Sequence, residues 1–181
     1  MSSTASLAAD DLGSAAQRDR RQRILEATIA IATKGGFDAV QMRAVAEQAD
    51  VALGTLYRYF PSKIHLLVSA LGRQFEAYQE TGTRRPIPGD TAVERVSNLL
   101  GYNTRMLQKQ PHLTEALTRA FMFADSSVSG EIHTVGLLMT RMVAGAMHGE
   151  AYDDTAAISD EDVAITRVIS DVWLSALVAW V

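Results

Sequence analysis

The sequence predicts an all-α fold, and three observations favour it. Only four of the 181 residues are proline, at positions 61, 86, 88 and 111, and they separate long stretches compatible with helices. The strict alternation of apolar and polar residues that marks β-strands is nearly absent. In the first long stretch, Ile24, Ala27, Thr28 and Ile31 recur at the spacing of one helix face.

The composition is that of a globular protein without disulfides. Apolar residues make up 48% and charged residues 21% of the chain, and there is no cysteine, so thiolate metal sites are excluded. The N-terminal sequence lacks the basic-then-apolar profile of a signal peptide. No apolar run approaches the roughly 20 residues that a membrane span requires. We therefore expect a soluble, cytoplasmic protein.

The N-terminal part is predicted to begin with a flexible leader, residues 1–13, that is rich in Ser, Ala and Asp. Ser14, with Gln17 three residues later, forms a capping box. The first helix is therefore predicted at 14–34. Two glycines at positions 35 and 36 end it, because glycine readily adopts the left-handed conformation of a C-terminal cap.

Two short helices are predicted next, at 42–49 and 53–59, with a tight connector of three residues between them. The second ends before Pro61, because the residue that precedes a proline is pushed out of the helical region. A fourth helix is predicted from Lys63, capped by Ser62, to about residue 79.

The rest of the chain is predicted to form a second helical domain. The segment TGTRRPIPGD, at 81–90, interrupts the periodicity after the fourth helix. We divide the chain into the leader, an N-terminal domain at 14–65 and a C-terminal domain at 66–181. Helices are predicted in the latter at 91–109, 112–124, 127–148 and 160–181, the last of them capped by Ser159.

Three short helices within about 45 residues, two of them joined by a tight turn, match a helix-turn-helix unit, whose third helix lies in the DNA major groove. The third helix here opens the stretch LGTLYRYFPSK, at 53–63. Leu56 and Phe60, four residues apart, supply its buried side. Residues 17–65 carry 8 basic and 5 acidic residues, a net charge of +3, whereas the whole chain has a net charge of -4. This distribution favours DNA as a partner of the N-terminal domain.

The outer side of that third helix provides candidate DNA contacts. Gly54 and Thr55 are small enough for close approach to the duplex, and Arg58 suits the bidentate pairing with guanine. Tyr57 and Tyr59 offer hydroxyls to phosphate oxygens. The alternative for both tyrosines is half-buried packing with a solvated hydroxyl. Lys63 lies beside the free N–H groups of the next helix, where a phosphate would bind.

The span 18–71 resembles the DNA-binding domain of the TetR family of bacterial repressors. The resemblance rests on Gly36-Phe37, Arg43 with Val45-Ala46, Val51, Gly54-Thr55-Leu56-Tyr57, Tyr59-Phe60 and Ser62-Lys63. It implies contacts with bases or phosphates by two further groups of residues. These are Gln41 and Arg43 around the second helix, and Arg18, Arg20 and Arg21 on the first.

Two positions depart from the family pattern. Asp50 occupies the turn where small or glycine-like residues are common, and Ile64-His65 follow Lys63 where an acidic residue is frequent. Elsewhere the chain is similar to a subgroup of the family, the actinobacterial repressors of sterol catabolism, in the segments LGSAAQRDRRQRIL, HLTEALTRAFMFAD and RVISDVWLSALVAW. That similarity implies a steroid-derived acyl-CoA as effector.

The C-terminal domain is predicted to hold a pocket for a hydrophobic effector. Five methionines lie between 91 and 148, and methionine adapts its shape to bulky apolar guests, although it equally fills helical cores. An anionic head group such as CoA would meet Arg105, Lys109 or Arg119, which are otherwise ordinary surface charges. The predicted lining residues are Leu99, Tyr102, Met106, Phe121, Met142 and Trp173.

The last predicted helix is apolar around most of its circumference near its end, so it must be covered. TetR-like proteins cover such helices in a four-helix dimer interface. Since the sequence stops at Val181 in mid-pattern, we expect a further helix beyond it or an altered dimer. The resemblance implies a homodimer that binds an inverted-repeat operator.

Neither a catalytic site nor a metal or cofactor site is predicted. The four histidines are scattered, and the sequence contains neither G-x-S-x-G nor a glycine-rich phosphate loop. Three alternatives remain open at this point. The chain is a repressor of the same type with another hydrophobic ligand, such as a fatty acyl-CoA or a drug; a helical enzyme acting on a hydrophobic thioester; or a helical binding protein.

Overall fold

The computed structural model describes residues 3–82, 87–153 and 155–181, with side chains described at 15–77, 87–153 and 155–181. Within these ranges every regular element is helical, which confirms the predicted fold class. The eight α-helices are α1 (Ser3–Ala39), α2 (Met42–Gln48), α3 (Leu53–Tyr59), α4 (Lys63–Gly82), α5 (Ala92–Gln108), α6 (Pro111–Met122), α7 (Ser129–His148) and α8 (Asp160–Trp180). Two 3₁₀ turns, Ser126–Val128 and Gly149–Ala151, flank α7.

The start of α1 differs from the prediction. The helix begins at Ser3, so the backbone of residues 3–13, in the segment predicted as a flexible leader, is helical, and Ser14 does not start a helix. Alanine has the highest helix propensity, and it occurs at five of the first sixteen positions. The predicted end is closer to the structure, because Gly36 has φ 68° and ψ -161° and the helix is broken there before Ala39.

The N-terminal helices enclose one apolar core. Ile24 and Leu25 of α1, Val45 of α2, Leu56 of α3 and Phe60 are each at most 2% exposed. These positions include the apolar faces that the sequence predicts for α1 and α3. We call α1, α2 and α3 the head, and α5 to α8 the body.

The head and the body share that core through α4 and α6. Leu66, Leu67 and Val68 of α4 are buried together with the head residues, and so are Ala116 and Leu117 of α6. The apolar core is therefore continuous across residue 65. A movement of α4 or α6 changes the packing of both the head and the body.

The body is completed by α5, α7 and α8. A second apolar cluster joins α5 to α7 and contains Leu99, Met142, Val143 and Ala146. The Arg95 guanidinium donates to the Ala146 and Met147 carbonyls at 2.8 and 2.6 Å, which satisfies the free carbonyls at the end of α7. The N-terminus of α5 is closed by a capping box between Thr91 and Glu94, and its backbone hydrogen bonds hold the pKa of Glu94 below its usual range.

Only one face of α8 is covered. Its inner face contacts α7, whereas Ile165, Val168 and Val172 on the outer face are exposed by 39%, 65% and 67%. By length and composition α8 is also apolar enough to cross a membrane, which corrects the expectation that no run approaches this limit. Three acidic residues precede its apolar part and Arg167 and Asp171 interrupt it, so the outer face also suits a partner helix.

Candidate nucleic-acid interface and effector cavity

The turn between α2 and α3 has the geometry of a helix-turn-helix. Asp50 adopts a left-handed backbone conformation with φ 52°, and the Val51 N–H returns to the Ala46 carbonyl at 3.0 Å. Aspartate is one of the few residues other than glycine that tolerate this conformation. The departure from the family pattern at Asp50 is therefore accommodated by the fold.

The recognition side of α3 is open to solvent. Tyr57 is 46% exposed, and Gly54 and Arg58 are also exposed, whereas Leu56 beneath them is buried. Tyr59 is half-buried, with its ring 6.4 Å from the Phe60 ring. Tyr57 thus presents its ring outwards, whereas Tyr59 packs partly against the core. Contact of either tyrosine with DNA stays a prediction.

A shallow hollow lies where α1 meets α3. It is lined by Gln17, Arg20, Arg58 and Tyr59, so the fold brings together three of the predicted DNA contacts from two helices. Two guanidinium groups beside a phenol hydroxyl form a site that suits a phosphate group. Direct contact of Arg58 with a base and its contact with a phosphate both stay predictions.

Gly54 has a property that the fold does not explain. A Cβ atom added at this position would meet no atom within 4 Å, and the backbone there does not have a positive φ. Alanine would therefore fit the folded chain, and as a better helix former it would favour α3. The folded chain thus gives no reason for a glycine here, and close approach of Gly54 to DNA stays a prediction.

The remaining predicted DNA contacts lie on the head surface. Arg43 and Glu47 form an exposed i, i+4 ion pair at 3.5 Å, which is weak enough for a phosphate to replace. The Arg21 guanidinium lies 5.5 Å from the centre of the Phe60 ring. Gln41, at the N-terminus of α2, and Arg18 are exposed.

Lys63 differs from these residues. Its Nζ lies 3.8 Å from the centre of the Phe37 ring, and burial lowers the pKa of the ammonium group. Asp38, Glu115 and Arg119 surround it electrostatically. The structure therefore places Lys63 in the contact between head and body, and its role as a phosphate anchor stays a prediction.

An apolar cavity of about 380 Å³ lies between α4 and the body helices α5, α6, α7 and α8. None of its described lining residues carries a charge at neutral pH, and the few polar ones offer amides and hydroxyls. Such a cavity suits an apolar guest with a few polar atoms. The lining consists of Leu71, Gln74, Phe75, Ala77, Tyr102, Asn103, Met106, Leu107, Gln110, Leu113, Thr114, Leu117, Thr118, Phe121, Val135, Met139, Met142, Trp173, Leu174 and Leu177.

Five of the six residues predicted from the sequence as lining are in this cavity: Tyr102, Met106, Phe121, Met142 and Trp173. Leu99 is not, because it is buried on another side of α5 against Val143 and Ala146. The contribution of α4, including Gln74 and Phe75, was not predicted. The signal was available, since α4 carries apolar residues on more than one face.

The predicted contacts for an anionic head group separate in the structure. Arg105 on α5 and Lys109 at its C-terminal cap are exposed, and Lys109 Nζ lies 4.0 Å from Sδ of Met106, which lines the cavity. Arg119 lies elsewhere, because its guanidinium pairs with Asp38 and Glu115. Arg119 is therefore engaged with the head and does not line the cavity.

Comparison with known proteins assigns the family. A model of bacterial regulatory proteins of the tetR family matches residues 24–70, and a model of the tetracyclin repressor-like C-terminal domain matches residues 89–181. The helix-turn-helix head thus matches the N-terminal model of the family, and the helical body matches a C-terminal model of the same family. The chain belongs to the TetR family of transcriptional repressors, as its motifs predicted, and this excludes the enzyme alternative.

The most similar relatives include HTH-type transcriptional repressors named KstR. The chain is 58% identical to that of Rhodococcus jostii over 176 residues, which cover 97% of this chain and 79% of the relative. It is 54% identical to that of Mycobacterium tuberculosis, over 96% of this chain and 76% of the relative. These similarities confirm the subgroup that the sequence segments indicated.

Solved structures agree with this fold. A TetR transcriptional regulator from Rhodococcus sp. RHA1 superposes with a TM-score of 0.72 at 31% identity, covering 89% of this chain and 82% of the other. FadR from Bacillus subtilis, solved in complex with stearoyl-CoA, superposes with a TM-score of 0.57 at 16% identity, covering 88% and 86%. The latter similarity concerns the fold alone.

Proposed function

We propose that this repressor controls genes of sterol or lipid catabolism and that a steroid-derived acyl-CoA releases it from its operator. The observation that carries the proposal is the uncharged cavity of about 380 Å³. Two of the helices that line it, α4 and α6, share an apolar core with the helix-turn-helix head. The similarity to KstR repressors supports this choice among hydrophobic ligands.

The chemistry of the cavity lining supports an apolar guest with flat surfaces. Phe75, Phe121 and Trp173 supply flat aromatic surfaces, and Met106 and Met139 supply adaptable ones. A charged CoA moiety would not enter an uncharged cavity without loss of hydration. In our proposal it remains outside, near Arg105 and Lys109.

The DNA-binding form is proposed to be a homodimer on an inverted repeat. Two heads reach successive major grooves when they are about 34 Å apart. The exposed apolar face of α8, around Val168 and Val172, is the surface that we assign to the partner subunit. Ligand binding shifts the population towards a conformation in which the heads no longer fit, to the extent that the ligand prefers that conformation. The protein acts on DNA in the cytoplasm.

A fatty acyl-CoA is the second candidate, because stearoyl-CoA is bound by the structurally similar FadR. The two ligands differ in stiffness, and the experiment should compare them directly. Purified protein on a labelled operator would be titrated with a steroid acyl-CoA, stearoyl-CoA and free CoA. Release at a lower concentration of the steroid thioester supports the proposal. Release by stearoyl-CoA alone assigns the fatty acyl alternative.

The DNA half of the proposal has its own test. The operator affinity is measured over a range of salt concentrations for the unsubstituted protein and for Arg43→Ala. Each phosphate contact that is lost should lower the slope of log K against log salt by about 1. Glu150→Ala, a change at an exposed body position, is the control. A flat dependence for the unsubstituted protein would contradict several phosphate contacts.

A further inference from the structure

Besides the apolar core that α1 and α6 share, one carboxylate of α6 accepts a hydrogen bond from the end of α1. The backbone N–H of Phe37 donates to Oε2 of Glu115 at 2.9 Å, across 78 positions of the chain. Gly36, immediately before it, has a positive φ, and a Cβ atom there would lie 2.8 Å from the same oxygen. The backbone turn and the absence of a side chain at Gly36 therefore both serve the approach of Glu115.

The second oxygen of this carboxylate extends the attachment. Arg119 Nη1 lies 3.2 Å from Glu115 Oε1 and 3.4 Å from Oδ2 of Asp38, which follows Phe37 in the head. The Arg119 guanidinium and the Lys63 ammonium lie 4.6 and 3.8 Å from the centre of the Phe37 ring. The side chain of Glu115 is only 32% exposed, so its contact with Arg119 is screened less than that of Asp38, which is 84% exposed.

The helix that carries Glu115 also forms a wall of the cavity. Thr114 and Thr118, which precede Glu115 and Arg119 by one position each, line the cavity, and so do Leu117 and Phe121. One side of α6 thus faces the guest while another holds the head. A guest that shifts α6 relative to α1 therefore also moves the Glu115 carboxylate away from the Phe37 N–H.

We propose that Glu115 is a positioning residue for DNA binding, which fixes the head on the body and releases it when the cavity is filled. The first part concerns the protein without effector, and the second rests on the proposed function. The attached arrangement is the one competent to bind the operator. Loss of the attachment lowers the fraction of competent molecules without removing any phosphate contact.

The experiment uses the full chain and three variants. Glu115→Ala removes both acceptor oxygens, Glu115→Gln keeps an acceptor for the Phe37 N–H, and Glu150→Gln is the matched control at an exposed body position. Operator affinity is measured against salt concentration, and thermal unfolding verifies that each variant is folded. We expect Glu115→Ala to bind about tenfold more weakly with an unchanged salt slope, and Glu115→Gln to lie within about threefold of the unsubstituted protein.

Rescue by glutamine separates positioning from a general loss of structure. Equal operator affinity of Glu115→Ala and the unsubstituted protein would overturn the proposal, and so would a loss that Glu115→Gln does not restore. Should Glu115→Ala fail to fold, hydrogen exchange of the Phe37 amide in the unsubstituted protein decides the matter. Slow exchange supports the attachment, and exchange at the rate of an exposed amide overturns it.

The release step is read from the same amide. Trp173 lines the cavity, so its fluorescence reports whether a steroid acyl-CoA binds. When it binds, we expect exchange of the Phe37 amide to accelerate at least tenfold, and unchanged exchange would overturn the release step. An absence of binding contradicts the proposed ligand instead, while the operator affinities of the Glu115 variants still test the attachment.

Discussion

The indole Nε1–H of Trp173 on α8 donates to the Thr104 hydroxyl oxygen on α5 at 3.0 Å. The same hydroxyl donates to the Leu100 carbonyl at 2.8 Å, so it accepts one hydrogen bond and donates another. This bond ties the last helix to the wall of the cavity. It also fixes the orientation of the only tryptophan among the lining residues.

We expect Thr104→Val to lower the free energy of unfolding by about 1 kcal/mol, because a partly buried indole N–H loses its acceptor. Urea unfolding measures this change. Thr140→Val is the control, since Thr140 donates to the Gly136 carbonyl in the same i-4 pattern and no indole contact is found for it among the described residues. An equal effect of both variants would show that the indole bond contributes nothing.

Gly54→Ala is expected to change stability and operator binding in opposite directions. The folded chain has room for the added methyl group, and alanine favours a helix over glycine by up to about 1 kcal/mol. Unfolding should therefore require more urea, while operator affinity falls because the methyl group obstructs the duplex. Gly130→Ala on α7, where there is equal room, should leave operator affinity unchanged. Unchanged affinity of Gly54→Ala would remove the argument that DNA requires this glycine.

Met139→Trp should fill the cavity from the α7 side. We expect the variant to keep its operator affinity and to lose release by the steroid acyl-CoA, because the guest no longer fits. Titration of the operator complex with the thioester measures release. His133→Trp, an exposed position on the same helix, controls for the added indole. Release of the Met139→Trp complex at the original concentration would place the effector elsewhere.

The link between α7 and α8 is expected to weaken in acid. His148 Nε2 lies 2.9 Å from Asp162 Oδ1, and this hydrogen bond, with that of Ser159, holds the pKa of Asp162 below its usual range. The unfolded chain therefore binds this proton more readily than the folded one, so the contribution to stability is present above about pH 4 and is lost as pH falls through the lowered pKa.

Urea unfolding of Asp162→Asn over a pH series tests this expectation. The variant should be less stable than the unsubstituted protein at neutral pH, and the difference should shrink in acid. Asp160→Asn removes the same charge from the same helical turn and serves as the control. A stability difference that is independent of pH would contradict the assignment to Asp162.

Local signals in the sequence predicted most of the head. Pro61 predicts that α3 ends at residue 59, and the structure ends it there. The burial of Leu56 and Phe60 follows from their helical spacing. The start of α1 differs from the prediction because the helix propensity of an alanine-rich stretch outweighs the capping pattern at Ser14. The charge pattern and the sequence motif of the head also indicate DNA as its partner.

The cavity was predictable only in part. Methionine and aromatic residues indicated which helices would line it, but helical spacing does not say which of two apolar faces points inwards, so Leu99 was included and Phe75 was missed. Contacts between the head and the body could not be predicted from the sequence. The bond between Phe37 and Glu115 joins positions 78 residues apart, and only the packing of α1 on α6 brings them together.

The core common to α4, α6 and the head has a consequence for protein engineering. If α1 to α4 were excised, Leu66 and Leu67 would lose the cover that Ala116 and Leu117 give them, so the excised fragment should aggregate. A chimera that joins α1 to α4 of this protein to the effector-binding domain of another therefore has to include the surface of α6 that packs on them.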